Sequence, residues 1–179
     1  MTEERLKNAK EQYLENITNY ITEFGSLVAT VSIIGEQLES TDERPAIIHI
    51  PISDDYMKDD DAKDLFVEKE LPKLFKQIQK LTKPVAVAWA AEAWVRVASK
   101  QEEVDDYKKL PIQKEVVIIN IETIDTQECT IYDIKRNGIK VNVAGELTDI
   151  IILEKNEELG SSKGTSGRFT GLFNKLTKL

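Results

Sequence analysis

Glu92, Trp94 and Arg96 occupy alternate positions of one strand-like run. A carboxylate, an indole and a guanidinium projecting from the same face could wall a small-molecule pocket. Alternate strand residues lie ~7 Å apart, so Glu92 and Arg96 are too distant for a direct pair, and Glu92 calls for a cross-strand partner such as Lys114 or Arg136, or water. Structural pairing at the end of a sheet is the plainer reading of the same three residues. The single histidine, His49, lies between Ile48 and Ile50 without a second histidine or a cysteine nearby; it makes a poor metal site and reads as a surface or hydrogen-bonded strand residue. The single cysteine, Cys129, reads as a small strand residue. Asp54, Asp55, Asp59, Asp60, Asp61 and Asp64 invite a divalent cation, but the glycine and distal glutamate of a calcium loop are absent, and acids at a helix start serve its dipole and cap. Gly160, Gly164 and Gly167 with Lys163 and Arg168 lack the Walker spacing of a phosphate loop. No acid, base and nucleophile fall at a spacing that a known chemistry requires. No residue is therefore given a catalytic role, no metal or cofactor is expected, and the reading leans away from an enzyme.

The elements that must position these residues follow from periodicity. Leu6, Tyr13, Leu14, Ile17, Tyr20, Ile21 and Phe24 recur at helical steps between a capping Thr2 and a terminating Gly25. Residues 27–34 and 46–52 are rich in β-branched side chains, with turn-prone residues 35–45 between them, and predict a hairpin. A helical pattern opens at Asp59 and aligns Leu71, Leu74, Phe75, Ile78 and Leu81, with Pro72 splitting or kinking it. The run 85–97 follows. Val85, Val87 and Trp89 mark a core face, while Ala86, Ala88 and Ala90 leave room for a helix or another backbone to approach closely, and a bend or bulge is expected near Glu92. Residues 99–111 read as a polar, acidic connection. Residues 116–123, 130–136 and 139–143 read as further strands, with Asn137-Gly138 as a two-residue hairpin turn. The prediction is an α+β domain over residues 1–153: N-terminal helix, β-hairpin, proline-interrupted helix and mainly antiparallel sheet. A flexible linker over 154–167 and a short amphipathic C-terminal helix over 168–179 complete it.

Composition bounds what such a domain can bind. The 179 residues carry a net charge of −8, which opposes general attraction to phosphate backbones and disfavours nucleic acid as a partner. The longest apolar run, 85–91, falls far short of the ~20 residues that span a bilayer, so no membrane span is expected. One cysteine and no secretory signal point to a reducing, cytoplasmic setting.

The tetrapeptide Ala91-Glu92-Ala93-Trp94 closing a long strand, a polar loop, then Glu115-Val116-Val117-Ile118-Ile119, and Gly167-Arg168-Phe169 near the end resemble a group of uncharacterised proteins from bacterial and phage genomes. The resemblance implies an α+β layout and, if phage-encoded, a host cytoplasm; it implies no activity. The expected function is a non-catalytic protein-interaction or accessory protein, which binds a partner or self-associates. Arg168, Phe169, Leu172, Phe173 and Leu176 of the tethered terminal helix are the candidate contacts; packing back onto the chain's own domain is the alternative for that helix. Two other functions compete. One is an enzyme or small-ligand binder with an unfamiliar site at Glu92, Trp94 and Arg96. The other is an acidic decoy for a nucleic-acid-binding protein that uses residues 54–64 and 102–106.

Overall fold

In the computed structural model, which describes residues 1–38, 44–95, 114–156, 161–163 and 169–178, the first periodic segment forms helix α1, Glu3–Phe24. Thr2 Oγ1 accepts from Arg5 N at one end, and Gly25, at φ 79°, closes the other by donating to Ile21 O. The buried row is Ala9, Tyr13, Ile17 and Ile21, an i, i+4 ridge; Tyr20 and Phe24, predicted on the same face, lie on its margin and are exposed.

The chain then forms strands β1 (Thr30–Gln37) and β2 (Ala46–Pro51), paired antiparallel as the predicted hairpin. Helices α2 (Asp54–Met57), α3 (Asp60–Leu65) and α4 (Leu71–Ile78) follow, with a π-helical turn, Phe66–Glu70, between the last two. That turn accommodates Pro72. Proline offers no N–H and crowds the carbonyl four residues back, and here Leu71 N–H reaches five residues back to Phe66 O. Leu71, Phe75 and Ile78 are buried as predicted, whereas Leu74 sits on the rim and Leu81 lies beyond the helix end, exposed.

Strands β3 (Thr82–Val95), β4 (Lys114–Glu122), β5 (Gln127–Val141), β6 (Leu147–Lys155) and β7 (Ser161–Lys163) complete one seven-stranded antiparallel sheet. Its order is β2-β1-β3-β4-β5-β6, with β7 also on β5. A last helix, α5 (Leu172–Thr177), ends the description. The architecture is α+β, with helices on both faces of the sheet. α1 covers Ile34, Ala86, Ala88, Ala90, Val117, Ile119 and Ile151, the alanines admitting it closely, while the π-helical turn, α4 and α5 cover Val31, Ile33, Val87 and Trp89 on the other face.

Three expectations are corrected by register. The β3–β4 pairing runs unbroken from Val87 to Val95, so there is no bulge at Glu92; the irregularity falls between Ile34 and Gly35 against β3. Gly35 is thus a strand residue rather than the start of a turn, and glycine is required because a Cβ there would meet Lys83 O at 2.8 Å. Asn137-Gly138 does not turn the chain either. Gly138, at φ 85°, makes a bulge inside β5 between Arg136 and Ile139, and the reversal comes at Asn142–Glu146, where Gly145 takes φ 83°. Of the stretch read as a linker, residues 154–155 end β6, 161–163 form β7, and 157–160 and 164–168 lie outside the described residues, as does the acidic connection 99–111.

Candidate functional site

Glu92 and Trp94 leave β3 on the face that carries α1, beyond the end of that helix. Register places Glu115 of β4 opposite Trp94, and Arg136 of β5 opposite Ile151 of β6. Arg136 donates to Glu115 Oε2 and to Asp149 Oδ2, both at 2.9 Å, so a carboxylate–guanidinium–carboxylate bridge ties β4, β5 and β6 together. The partner of Glu92 is neither Lys114, which pairs with Asp133 at 3.2 Å, nor Arg136: Glu92 Oε1 accepts from the backbone N–H of Leu27 at 2.6 Å. Arg96 lies outside the described residues.

Burial raises the Glu92 carboxyl above its ordinary value of 4.5, the Leu27 N–H opposes that, Glu115 adds to the rise and Arg136 reduces it. The native state therefore holds a proton in a pH window where the unfolded chain has released it, so this group's contribution to stability is full below pH 4.5 and falls as pH rises above it. Glu92→Gln, which keeps an acceptor for Leu27, should gain thermal midpoint relative to the wild type as pH is raised from acid towards neutral. A difference that stays constant across that range contradicts the assignment.

A second cluster escaped the sequence reading. Ser32 of β1 pairs with His49 of β2 in register, and Ser32 Oγ lies 2.9 Å from His49 Nδ1. Asn16 Nδ2 approaches His49 Nε2 at 3.4 Å, and the Tyr13 ring stacks on the imidazole at 5.8 Å between centroids. The Tyr13 hydroxyl is buried beside Ser32 without a well-aligned hydrogen bond, and burial raises its pKa. A serine hydroxyl beside an imidazole is half of a nucleophile–base pair, but Ser32 is wholly buried within the strand pair, where no substrate carbonyl reaches it. The arrangement is that of a hydrogen-bonded strand histidine, with its ring edge open to the cleft between α1 and β2.

Desolvation lowers the His49 pKa below its ordinary 6.5. Its stabilising contribution is present above 6.5 and is lost as pH falls through the lower folded value. As the chain has one histidine, the single imidazole resonance in a proton NMR titration should move with a midpoint below 6.5; a midpoint at or above it would show an accessible or ion-paired ring.

The remaining candidates divide cleanly. Asp59 Oδ1 accepts from Ala62 N at 2.8 Å and Asp60 lies 3.6 Å from Lys63, so these acids act at a helix start. Among the described residues no group of three or more metal-ligating side chains converges. Cys129 is half-buried, with its thiol pKa raised by burial. Arg168 lies outside the described residues. Phe169, Leu172, Phe173 and Leu176 are all buried, and Phe169 stacks on Trp89 at 5.5 Å between centroids, so the C-terminal segment packs back on its own domain. Glu122, at the end of β4, holds it there by accepting from Gly171 N at 2.7 Å and Phe173 N at 3.1 Å.

The exposed apolar surface is elsewhere. Phe24, Trp94, Ile139, Val141, Val143 and Leu147 are between 62% and 89% exposed. Register puts Ile139, Val141 and Leu147 on the α1 face, beyond the Arg136 bridge. The β5–β6 arm that carries them is fastened to the end of α1, because Glu23 Oε1 accepts from Val143 N at 2.6 Å and Glu23 Oε2 lies 3.4 Å from Lys140 Nζ. The fold and these surfaces define the chain as an α+β protein with an antiparallel sheet carrying helices on both faces. Comparison with family models, curated proteins and solved structures gave no match. No helix of the described residues is long and apolar enough to cross a membrane.

Proposed function

We propose that the protein is a non-catalytic interaction or accessory module of the cytoplasm, whose contact surface is the β5–β6 arm and the neighbouring end of the sheet that no described helix covers, rather than the C-terminal helix. The observation that carries this reading is the set of exposed apolar side chains on an arm anchored by Glu23. Large apolar side chains clustered at one end of a soluble domain mark contact sites, and an anchored arm loses little entropy when it is covered. The occupant that fits is a partner protein with an apolar patch bordered by basic side chains, since Glu115 and Asp149 flank Arg136, Glu92 lies on the same face, and the whole chain carries −8.

The test is affinity capture with the wild type beside Val143→Asp/Leu147→Asp, followed by direct titration of the captured protein. Both positions are exposed, so the fold should survive. A partner held by the wild type at least tenfold more tightly than by the double variant, with affinity falling as salt rises, is the expected result. Equal affinity for both proteins overturns the reading.

The small-ligand alternative rests on one observation, the raised pKa of Glu92 beside the exposed Trp94. It predicts quenching of Trp94 fluorescence by a bound ligand, lost in Glu92→Gln.

A further inference from the structure

β2 is an end strand of the sheet, so half of its backbone groups have no ladder to join. Ile52 N donates to Ala29 O at 2.7 Å, which fixes the parity. Ile50, Ile48 and Ala46 also turn their N–H and C=O groups towards β1, and Pro51, His49, Ile47 and Pro45 turn theirs outward. The two outer positions are prolines without an N–H. Ile47 and His49 between them present two donors and two acceptors that no described residue meets.

On its α1 side this edge is flanked by uncharged residues. The cleft between α1 and β2, about 460 Å³, is lined by Asn16, Asn19, Tyr20, Leu27, His49 and Pro51 among others, all uncharged, in a chain of net charge −8. Two copies of such an acidic molecule repel least where neither carries a charge. The Asn16 contact and the Ser32 hydrogen bond place the His49 ring at the mouth of the cleft.

We propose that β2 pairs antiparallel with β2 of a second copy about a two-fold axis, Ile47 against the partner's His49, joining two sheets into one. In the register centred on Ile48, every N–H and C=O of Ile47 and His49 in both copies finds a partner, giving four backbone hydrogen bonds, and Pro45 falls opposite the partner's Pro51, where neither position has an N–H to donate, so the ladder ends there and the proline carbonyls face solvent. A two-fold axis makes one short edge sufficient for both sides of the contact. The prolines limit the ladder to this length, so closed pairs form rather than open-ended sheets. This surface lies at the opposite end of the strand order from the β5–β6 arm and is independent of the function proposed above.

Sedimentation velocity of the full chain from low micromolar to submillimolar concentration tests the proposal. Two variants accompany the wild type. Ile47→Pro removes one outward donor per copy and leaves the bonds to β1 intact. Asn19→Glu, at an exposed helix position, places like charges across the axis without touching the strand. The expected result is a reversible wild-type dimer whose dissociation constant rises at least tenfold in each variant, with Asn19→Glu melting as the wild type does; should Ile47→Pro fail to fold, Asn19→Glu decides alone. A wild type that stays monomeric throughout overturns the proposal, as does a dimer that Asn19→Glu leaves unchanged. A dimer lost only in Val143→Asp/Leu147→Asp also overturns it and moves self-association to the arm.

Discussion

A chain ending at Ser166 is expected not to fold stably. The deletion removes Phe169, Leu172, Phe173 and Leu176, each between 1% and 7% exposed, from the cluster that also holds Phe66, Leu71, Phe75 and Val87. Burying a large apolar side chain is worth ~1.5–3 kcal/mol, so the four together contribute roughly 6–12 kcal/mol. That is an upper estimate because unfolded chains already bury some apolar surface, yet it is comparable with the ~5–15 kcal/mol that holds an ordinary domain together. The deletion also strips Trp89 of its stacked Phe169 ring and leaves an apolar surface on the face of the sheet that α4 covers. Denaturant unfolding followed by circular dichroism should show loss of the cooperative transition, or a midpoint far below that of the full chain, together with binding of a hydrophobic dye. A truncated chain that unfolds at the full-length midpoint would show that the segment adds nothing to the core. For the same reason, loss of a partner on truncation would not identify the terminal helix as its binding site.

How far the sequence reveals this molecule depends on whether a feature is local. α1 is legible from its ridge and caps because a helix records its buried face every three to four residues. The Ala86, Ala88 and Ala90 stripe indicates the close approach of a helix or another backbone, since small side chains at period two leave space on one face, and α1 fills it. Glycine-dependent geometry is less legible. Gly35 and Gly138 carry turn signals, yet both lie within strands, and whether a glycine bends or bulges the chain depends on the neighbouring strand. The Ser32–His49 pair shows how fine the margin is. Centring the hairpin on Ser40, the middle of the turn-prone stretch, sets Ser32 opposite Ile48, whereas the pairing continues to Gly35 and Ala46 and sets Ser32 opposite His49. A slip of one residue moves the imidazole to the other face, which is why the cluster under α1 could not be read from spacing. The Glu92 partner was missed for a different reason: backbone amides leave no trace in side-chain identity.

Glu122→Ala should be among the most destabilising single substitutions in the chain, although it removes no apolar group. Glu122 is 3% exposed, and its carboxylate accepts from Asn120 Nδ2 at 2.9 Å as well as from the Gly171 and Phe173 amides. Those two amides belong to the start of α5, where a helix leaves N–H groups without internal partners. Gly171, in the left-handed region at φ 69°, has no side chain to cap them. The strand thus supplies the cap that the local sequence lacks. Alanine would strand three donors in or near the core, and each buried donor left unmet costs ~1–3 kcal/mol, so a loss of roughly 3–9 kcal/mol is expected, towards the lower end where water reaches the half-buried Gly171. Glu122→Gln keeps one acceptor oxygen but turns an amide N–H₂ towards donors, and should fall between alanine and the wild type. Because the carboxylate acts through the helix it caps, Glu122→Ala and Leu172→Ala should be strongly non-additive in a double-mutant cycle: once the helix is released, removing its leucine costs little more. Urea unfolding of the single and double variants measures both quantities. Additive losses, or a Glu122→Ala protein within ~0.5 kcal/mol of the wild type, would mean that α5 is held by apolar burial alone.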